Sequence, residues 1–344
     1  MKIALIYNLK RKVEDGIAID YFSEFDSKNT VDSLFNALCS LGHEVSLVEA
    51  DRNMLSWLGA NKVDIVFNIA ECFGRDREAQ VPAICDFLKI PCVGSGALGQ
   101  ALSLDKAMTK KILSYENIPT PKFQLFKSAQ ESLNADFKFP LIVKPNAEGS
   151  AKGINVCNLV NNRDDLFREI ARIISRYRQP ALVEEFINGR ELTVGVIGNN
   201  ELTVLPILEI DFKGCQKSGE HFYSWRMKEY QGNVELGLNP AFYCPAVLDL
   251  ELKAEIENIA RRVHEVINCC DFSRVDIRLQ EHTNIPYVLE TNSLPGLDPV
   301  ESNLTMMAQA AGIGYSSLIR MILESALSRY QSENIYVQAG RENQ

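Results

Sequence analysis

Two segments near the C-terminal end of the chain carry side chains that suit metal-assisted phosphate chemistry. Arg274, Asp276 and Arg278 alternate with apolar residues in the first segment, and Glu290 and Asn292 alternate in the second. If the segments form a β-hairpin, this alternation places Asp276, Glu290 and Asn292 on one face. Carboxylate and amide oxygens suit Mg²⁺, which takes further ligands from water and substrate phosphates. The spacing predicts a nucleotide-phosphate site; the alternative is a hairpin with a solvated polar face.

A glycine-bearing segment in the middle of the chain is a second candidate for phosphate binding. Residues 141–145 predict a strand, and the loop that follows at 146–153 contains Gly149 and Gly153. Glycines let backbone amides approach an anion closely. Residues 154–156 are predicted to return as the paired strand, and the alternative is an ordinary hairpin loop without a ligand.

The elements that position these segments begin with alternating strands and helices in a predicted unit at residues 1–97. Thr30 is predicted to cap the first helix, and a long polar loop at residues 9–26 is a candidate substrate-facing loop. The alternation predicts a parallel sheet covered by helices. The predicted elements of this unit are strands at 2–7, 45–48 and 65–69 and helices at about 30–41 and 79–88.

Two further units and a tail are predicted after residue 97. The central unit, residues 98–182, opens with a helix at about 104–116. The third unit, residues 183–331, contains the hairpin and ends in a helix near Tyr330. Residues 332–344 are polar and are expected to form a flexible tail.

Composition and charge exclude several classes of protein. The 344 residues include 36 basic and 45 acidic residues, for a net charge of −9, and no basic run accumulates as it would on a nucleic-acid-binding surface. No apolar stretch has the length of a membrane-spanning helix, and the first residues do not resemble a signal peptide. Nine cysteines lack the spacing of a zinc site and are expected to be reduced. We therefore expect a cytoplasmic protein with no nucleic-acid or membrane partner.

Taken together, these motifs resemble the ATP-grasp superfamily and, within it, the D-alanine:D-alanine ligase-like carboxylate-amine ligases. The resemblance covers nearly the whole chain, and it implies an α/β ATP-grasp fold of three α/β domains. These are an N-terminal parallel-sheet domain, a small central domain and a C-terminal domain with an antiparallel sheet. The resemblance also implies a homodimer. The motifs that carry it are Leu104-Asp105-Lys106, Val143-Lys144-Pro145, Glu148-Gly149-Ser150, residues 183–193, Arg274-Val275-Asp276, Glu290-Thr291-Asn292 and Pro295-Gly296.

The resemblance implies a role for each matching residue. ATP is the implied substrate, with Mg²⁺ or Mn²⁺ held by Asp276, Glu290 and Asn292. Arg274 and the Gly296 amide are implied to stabilise an oxyanion. The implied ATP contacts are Lys106, Lys144 and Lys228 at the phosphates, Glu148, Gly149 and Ser150 in a closing loop, Glu184, Glu185 and Ile187 at adenine, and Glu191 at the ribose. The serine that orients the family's substrates is expected at position 301, which holds glutamate, so Ser302 is the nearest candidate.

Further departures from the family pattern fall on the amino-acid-binding positions. No Ser-x-Glu element follows the first strand, where only Glu14 or Glu24 offers a substitute. The family's histidine-containing stretch is replaced by residues 70–78. Arg75 and Arg77 in that stretch are candidates to bind a second substrate carboxylate. The alternative is that both arginines are exposed to solvent at the start of a helix.

Three hypotheses follow about function. The first is an ATP-dependent carboxylate-amine ligase that forms a peptide bond through an acyl phosphate, with D-alanyl-D-alanine as the default product and amino acids or small carboxylates and amines as substrates. The second is a ligase of the same chemistry that joins a different amino acid to a specialised metabolite or peptide. The third is an ATP-binding sensor or assembly partner without ligase activity.

Overall fold

The computed structural model describes residues 1–13, 18–74 and 76–342, which form three sheets with their covering helices. The first sheet is parallel, with strand order β2-β1-β3-β4, as the alternating pattern predicts. Its central strands are apolar at consecutive positions because helices cover both faces. The elements are β1 Lys2–Tyr7, α1 Lys28–Ser40, β2 Glu44–Glu49, α2 Met54–Ala60, β3 Ile65–Asn68, α3 Gln80–Leu88, β4 Cys92–Val93 and α4 Ala97–Leu104.

The second sheet is antiparallel and has the strand order β5-β8-β6-β7. Helix α6 packs on it through an apolar stripe that includes Leu166, Ile170 and Ile173. The elements are α5 Lys106–Tyr115, β5 Phe123–Phe126, β6 Leu141–Pro145, β7 Leu159–Val160, α6 Arg163–Tyr177 and β8 Ala181–Glu185.

The third sheet is also antiparallel, with the order β12-β11-β9-β13-β14 and with β10 paired to β9. The elements are β9 Gly189–Ile197, β10 Thr203–Val204, β11 Leu208–Asp211, α7 Trp225–Glu229, β12 Ala241–Tyr243, α8 Leu250–Val266, β13 Phe272–Gln280, β14 Pro286–Asn292, α9 Asn303–Ala310 and α10 Tyr315–Glu342. The expected mixed α/β architecture, with a parallel N-terminal sheet and an antiparallel C-terminal sheet, is thus confirmed. Among the helices of the described residues, none combines the length and the apolar composition that crossing a bilayer requires.

Several local predictions are corrected by the structure. Ser27, not Thr30, caps α1, because its side chain accepts a hydrogen bond from the Thr30 amide. The strand predicted at 154–156 is absent, and β7 pairs with β6 instead. The helix predicted from residue 104 begins at Lys106, where Asp105 is the cap. The last helix continues past Tyr330 to Glu342, and residues 343 and 344 lie outside the described residues.

The predicted domain boundaries remain predictions. The boundary placed between residues 182 and 183 lies inside β8, which pairs along its whole length with strands of the central sheet. The first and third sheets also share a hydrophobic core, to which Leu5, Leu34, Leu208 and Ile319 contribute. The N-terminal and C-terminal units are therefore held together by continuous apolar packing, which positions any site between them.

Asp271 links these two units through a buried hydrogen-bond network. It is fully buried and accepts from the Gly94 amide at 2.7 Å, from Asn199 at 2.9 Å and from Arg329 at 2.8 Å. We expect Asp271→Asn to lower the free energy of unfolding by about 3 kcal/mol, because the substitution removes the buried charge that pairs with the partly buried guanidinium of Arg329. Urea unfolding is the measurement. The exposed Asp86→Asn is the matched control, and an equal loss in both variants would contradict a linking role for Asp271.

Candidate active site

Strands β13 and β14 form the predicted hairpin and bring its polar side chains to one face. Asp276 lies directly opposite Glu290, and Arg274 lies opposite Asn292. The other face is packed into the core, where Val275 is fully buried. The alternation seen in the sequence therefore places both carboxylates and the amide on the same side of the sheet.

Asp276 and Glu290 are each held by cationic or hydrogen-bonding neighbours. Arg274 donates to both carboxylate oxygens of Asp276 at 2.9 Å, and Asn292 donates to it at 3.0 Å. Lys106 forms an ion pair with Glu290 at 3.1 Å. Burial opposes ionisation of Glu290, but the positive charges of Lys106 and other neighbours outweigh it and lower its pKa to about 2. Glu290 is therefore a carboxylate at neutral pH, and it lies directly opposite the acidic side chain of Asp276.

The donor set of this hairpin fits a hard divalent cation that also binds phosphate. Within the described residues, no group of three or more His, Cys, Asp or Glu side chains is arranged to enclose a metal by itself. Two carboxylates and an amide match Mg²⁺ instead, since this ion uses few protein ligands and completes its shell with water and phosphate oxygens.

The hairpin opens on a cavity of about 600 Å³ that lies among the three units. A cavity of this size accommodates a nucleotide together with a small substrate. The residues to which the family resemblance assigned ATP, metal or catalytic roles all line it: Lys106, Lys144, Glu148, Gly149, Ser150, Glu184, Glu185, Ile187, Glu191, Lys228, Arg274, Asp276, Glu290, Asn292, Gly296 and Ser302.

Buried ion pairs organise the end of the cavity where adenine and ribose are expected. Glu184 is 1% exposed and pairs with both Lys110 and Lys144 at 2.9 Å. Burial opposes its ionisation, but the two lysines lower its pKa below the ordinary value. Glu191 similarly pairs with Arg278 at 2.9 Å. Lys110 was not among the predicted site residues, because its position on α5 carries no signal until the fold brings that helix beside β8.

We expect Glu184→Gln to lower the free energy of unfolding by about 3 to 5 kcal/mol, since Lys110 and Lys144 would remain buried without their carboxylate. Urea unfolding without nucleotide measures the loss. Lys110→Met is the comparison, because it leaves the pair between Lys144 and Glu184 intact and should cost less. Equal losses in the two variants would show that Glu184 does not balance both lysines.

The glycine-bearing loop meets α7 above the hairpin. The Lys228 ammonium donates to the Ser150 hydroxyl at 2.8 Å, and Lys106 donates to the Glu148 carbonyl at 2.6 Å. Partial shielding from water at the cavity and the neighbouring positive charge of Arg274 lower the pKa of Lys228. The loop and the two lysines thus enclose the space beside Glu290 in which nucleotide phosphates are expected.

Comparison with known proteins agrees with this geometry. The family described as "D-ala D-ala ligase C-terminus" matches residues 111–324. The chain belongs to the D-alanine–D-alanine ligase family. Membership in this family makes it an ATP-dependent ligase that forms carbon–nitrogen bonds.

Individual relatives cover almost the entire chain. The chain is 36% identical to the uncharacterized protein y4sG of Sinorhizobium fredii, over 88% of this chain and 89% of that protein. It is 32% identical to the D-alanine–D-alanine ligase of Carboxydothermus hydrogenoformans, over 89% of this chain and 95% of that protein. The crystal structure of D-alanine–D-alanine ligase from Bacillus anthracis complexed with ATP is similar, with a TM-score of 0.74, 25% identity and coverage of 97% of this chain and 99% of that one.

The segment after the hairpin of this ligase approaches the cavity closely. A side chain at Gly296 would place its Cβ 3.0 Å from the Ser302 hydroxyl. That hydroxyl accepts a hydrogen bond from the Asp298 amide at 2.9 Å. Glu301 lines the cavity as well. The absence of a side chain at Gly296 therefore leaves room for Ser302 beside the backbone that is expected to bind substrate.

The prediction that Arg77 binds a second substrate carboxylate is wrong for this ligase. Arg77 is buried and forms ion pairs with Glu24 and with Glu148, and it also donates to the Ala147 carbonyl at 3.1 Å. The protein's own carboxylates thus occupy its guanidinium. Arg75 lies outside the described residues.

Glu24 has a structural role that the sequence left open. It accepts a hydrogen bond from the Gly149 amide at 2.5 Å and lines the cavity. Burial opposes its ionisation, but Arg77 and Lys152 lower its pKa. Glu24 therefore ties the N-terminal loop to the glycine-bearing loop. Glu14, the other candidate, lies outside the described residues.

Proposed function

We propose that this ligase joins the carboxylate of one amino acid to the amine of a second through an acyl phosphate. The observation that carries the proposal is the opposed pair Asp276 and Glu290, which lies in one cavity with Lys106, Lys144 and Lys228. Opposed carboxylates are unfavourable for folding by themselves. Their presence beside three lysines is what a site for a metal-bound nucleotide tail requires.

The proposed reaction follows from the poor reactivity of carboxylates toward amines. A carboxylate oxygen of the first substrate attacks the γ-phosphorus of ATP, the bond from that phosphorus to the bridging oxygen breaks, and ADP leaves. The amine of the second substrate then attacks the acyl carbon, phosphate leaves, and the nitrogen loses a proton to give the amide. Arg274 and the Gly296 amide are proposed to stabilise the oxyanion that forms at the acyl carbon.

The residues around the nucleotide tail have separate proposed roles. Lys106, Lys144 and Lys228 are proposed to bind phosphate oxygens, and Asp276, Glu290 and Asn292 to hold Mg²⁺ or Mn²⁺. A bound ion of this kind offsets phosphate charge during transfer.

The loop of Glu148, Gly149 and Ser150 is proposed to cover the phosphates. Its hydrogen bond from Lys228 to Ser150 joins it to α7, so both segments can exclude water together. Exclusion of water protects an acyl phosphate from hydrolysis.

At the other end, Glu184 is proposed to accept from the adenine amino group, with the backbone of Glu185 and Ile187 at the base edge. Glu191 is proposed to bind the ribose hydroxyls.

The predicted homodimer and cytoplasmic location remain predictions. The interpretation as a sensor without ligase activity is not favoured, because the chain belongs to a family of ligases and retains both opposed carboxylates.

A direct assay tests the proposed reaction. The purified protein is incubated with ATP, Mg²⁺ and single or paired amino acids, starting with D-alanine, and phosphate release is followed. We expect an amino-acid-dependent release of phosphate with an equal amount of amide product by mass spectrometry. Tight ATP binding with no substrate-dependent phosphate release across the panel would instead support a nucleotide-binding protein without ligase activity.

A further inference from the structure

Three carboxyl groups of the N-terminal unit line the cavity and have no ion-pair partner among the described residues. Asp26, Glu71 and Glu78, which we call the acidic wall, follow the C-terminal ends of β1 and β3. Ligands of open α/β sheets bind outside the carboxyl ends of the strands. Within the described residues, no basic side chain is in ion-pair contact with these three groups.

The nearby charges are already matched among themselves. Arg77 pairs with Glu24 and Glu148, and Lys152 pairs with Glu148 at 3.0 Å. These two cations balance the two glutamates. Among the described residues, the acidic wall therefore adds acidic groups beyond that network.

The two lysines that face the wall from the phosphate side are also engaged. Lys106 forms its ion pair with Glu290, and Lys228 donates to Ser150. Both are close enough to act on the wall electrostatically, Lys106 on Glu78 and Lys228 on Asp26. Neither makes a direct ion pair with it, so a cationic group can still enter between them.

Because the three carboxyl groups of the acidic wall are shielded from water, ionising all of them is unfavourable unless a cation is bound nearby. Glu78 is only 8% exposed, and its carboxyl group is hydrogen-bonded to that of Glu71. Burial raises the pKa of Glu78 and of Asp26 to about 7, and burial together with Glu78 raises that of Glu71. A hydrogen bond between two carboxyl groups requires a proton on one of them. A cation at this position would replace that proton.

We propose that one substrate of the ligase is a diamino carboxylic acid, whose ammonium groups bind the acidic wall while its carboxylate faces Lys228. This inference rests on the proposed ligase function and names its substrate class. A single α-ammonium needs one carboxylate partner, whereas the wall offers three. The second ammonium group gives the additional carboxylates a partner of opposite charge.

Binding measurements separate this inference from the ligase reaction. Lysine and ornithine, as D and L forms, are titrated into the protein with Mg²⁺ and a non-hydrolysable ATP analogue. Norleucine and norvaline are the matched controls, since each has the same carbon chain without the side-chain ammonium. We expect at least about tenfold tighter binding of a diamino acid, because one lost charge pair of this kind corresponds to about a factor of ten or more. Equal affinity for lysine and norleucine, and for ornithine and norvaline, would overturn the proposal.

Variants locate the effect on the wall. Glu71→Gln and Glu78→Gln should each weaken diamino-acid binding by about tenfold and norleucine binding by less, while the affinity for the ATP analogue stays unchanged. Asp26→Asn tests the third carboxyl group, which lies in a separate loop. The proposal therefore stays testable even if one of the other variants folds poorly. The exposed Glu255→Gln on α8 is the charge-matched control. Unchanged diamino-acid binding in all three wall variants would overturn the proposal.

Two further readouts distinguish the possible outcomes. Diamino-acid binding at pH 7 should release protons, because the cation favours the ionised form of Glu78; calorimetry in two buffers of different ionisation enthalpy measures this release. Phosphate release with D-alanine but no preference for diamino acids would leave the ligase function intact and overturn the substrate class. A binding preference without any phosphate release would support the wall and contradict the proposed reaction.

Discussion

Glu290→Gln is expected to lower kcat by about 100- to 1,000-fold while nucleotide affinity stays nearly unchanged. The substitution keeps the size of the side chain but removes a negative charge opposite Asp276 and beside Lys106. If Glu290 holds a metal that offsets charge during phosphoryl transfer, its loss affects the transition state more than ground-state nucleotide binding. Steady-state kinetics give kcat, and equilibrium titration with an ATP analogue gives the affinity.

Glu255→Gln on the exposed face of α8 again serves as the control, because it removes the same charge far from the cavity. This variant should leave kcat and the affinity for the ATP analogue unchanged. Equal losses of turnover and of nucleotide affinity in the Glu290 variant would instead assign Glu290 to nucleotide binding alone.

Arg274→Lys is expected to reduce amide formation by about 100-fold or more. The guanidinium spans both oxygens of Asp276 through two parallel hydrogen bonds, and a lysine ammonium does not reproduce that geometry. If Arg274 also stabilises the oxyanion at the acyl carbon, the attack of the amine slows more than the phosphoryl transfer that precedes it. The ratio of phosphate released to amide formed should therefore rise, because water hydrolyses the longer-lived acyl phosphate.

Arg190→Lys is the matched control for this substitution. Arg190 makes the same two-fold contact with Glu209, at 2.8 and 2.6 Å, but does not line the cavity. Its variant should keep both the rate and the phosphate-to-amide ratio. If the Arg274→Lys variant is slow but keeps the original ratio of phosphate released to amide formed, Arg274 only positions Asp276 and does not stabilise the oxyanion.

The proposed ATP-binding cations share one property in the structure, which is that each already has an acceptor within the protein. Lys106 pairs with Glu290, Lys144 pairs with Glu184, and Lys228 donates to Ser150. Nucleotide binding must therefore add to or replace these contacts. For Lys106 and Lys144 this arrangement keeps buried charges paired when no ligand is present, because an unpaired buried charge is strongly destabilising.

The local pattern of the sequence was sufficient to predict much of the phosphate side of the site. Alternation at period two placed Asp276, Glu290 and Asn292 on one face of the hairpin. The opposite face, which includes Val275, is buried in the structure, and this confirms the alternation. The strand and helix alternation likewise predicted the parallel sheet. Such features depend on neighbours a few residues apart, so they can be read from the chain directly.

Predictions at the ends of elements were less successful for a physical reason. Ser27 rather than Thr30 caps α1, and β7 rather than residues 154–156 completes the central sheet. Several nearby residues have similar capping or strand propensity, and the packing of the whole domain decides among them.

The ionic partners of the site were decided by the tertiary structure alone. Arg77 pairs with Glu24, which is 53 residues away, and Lys110 pairs with Glu184 across two different elements. The acidic wall likewise joins residues that follow two different strands. The types and spacing of the residues determined which family and which phosphate chemistry to expect, whereas the charge that meets the substrate depends on contacts between distant segments. Those contacts form only when the three units pack around one cavity.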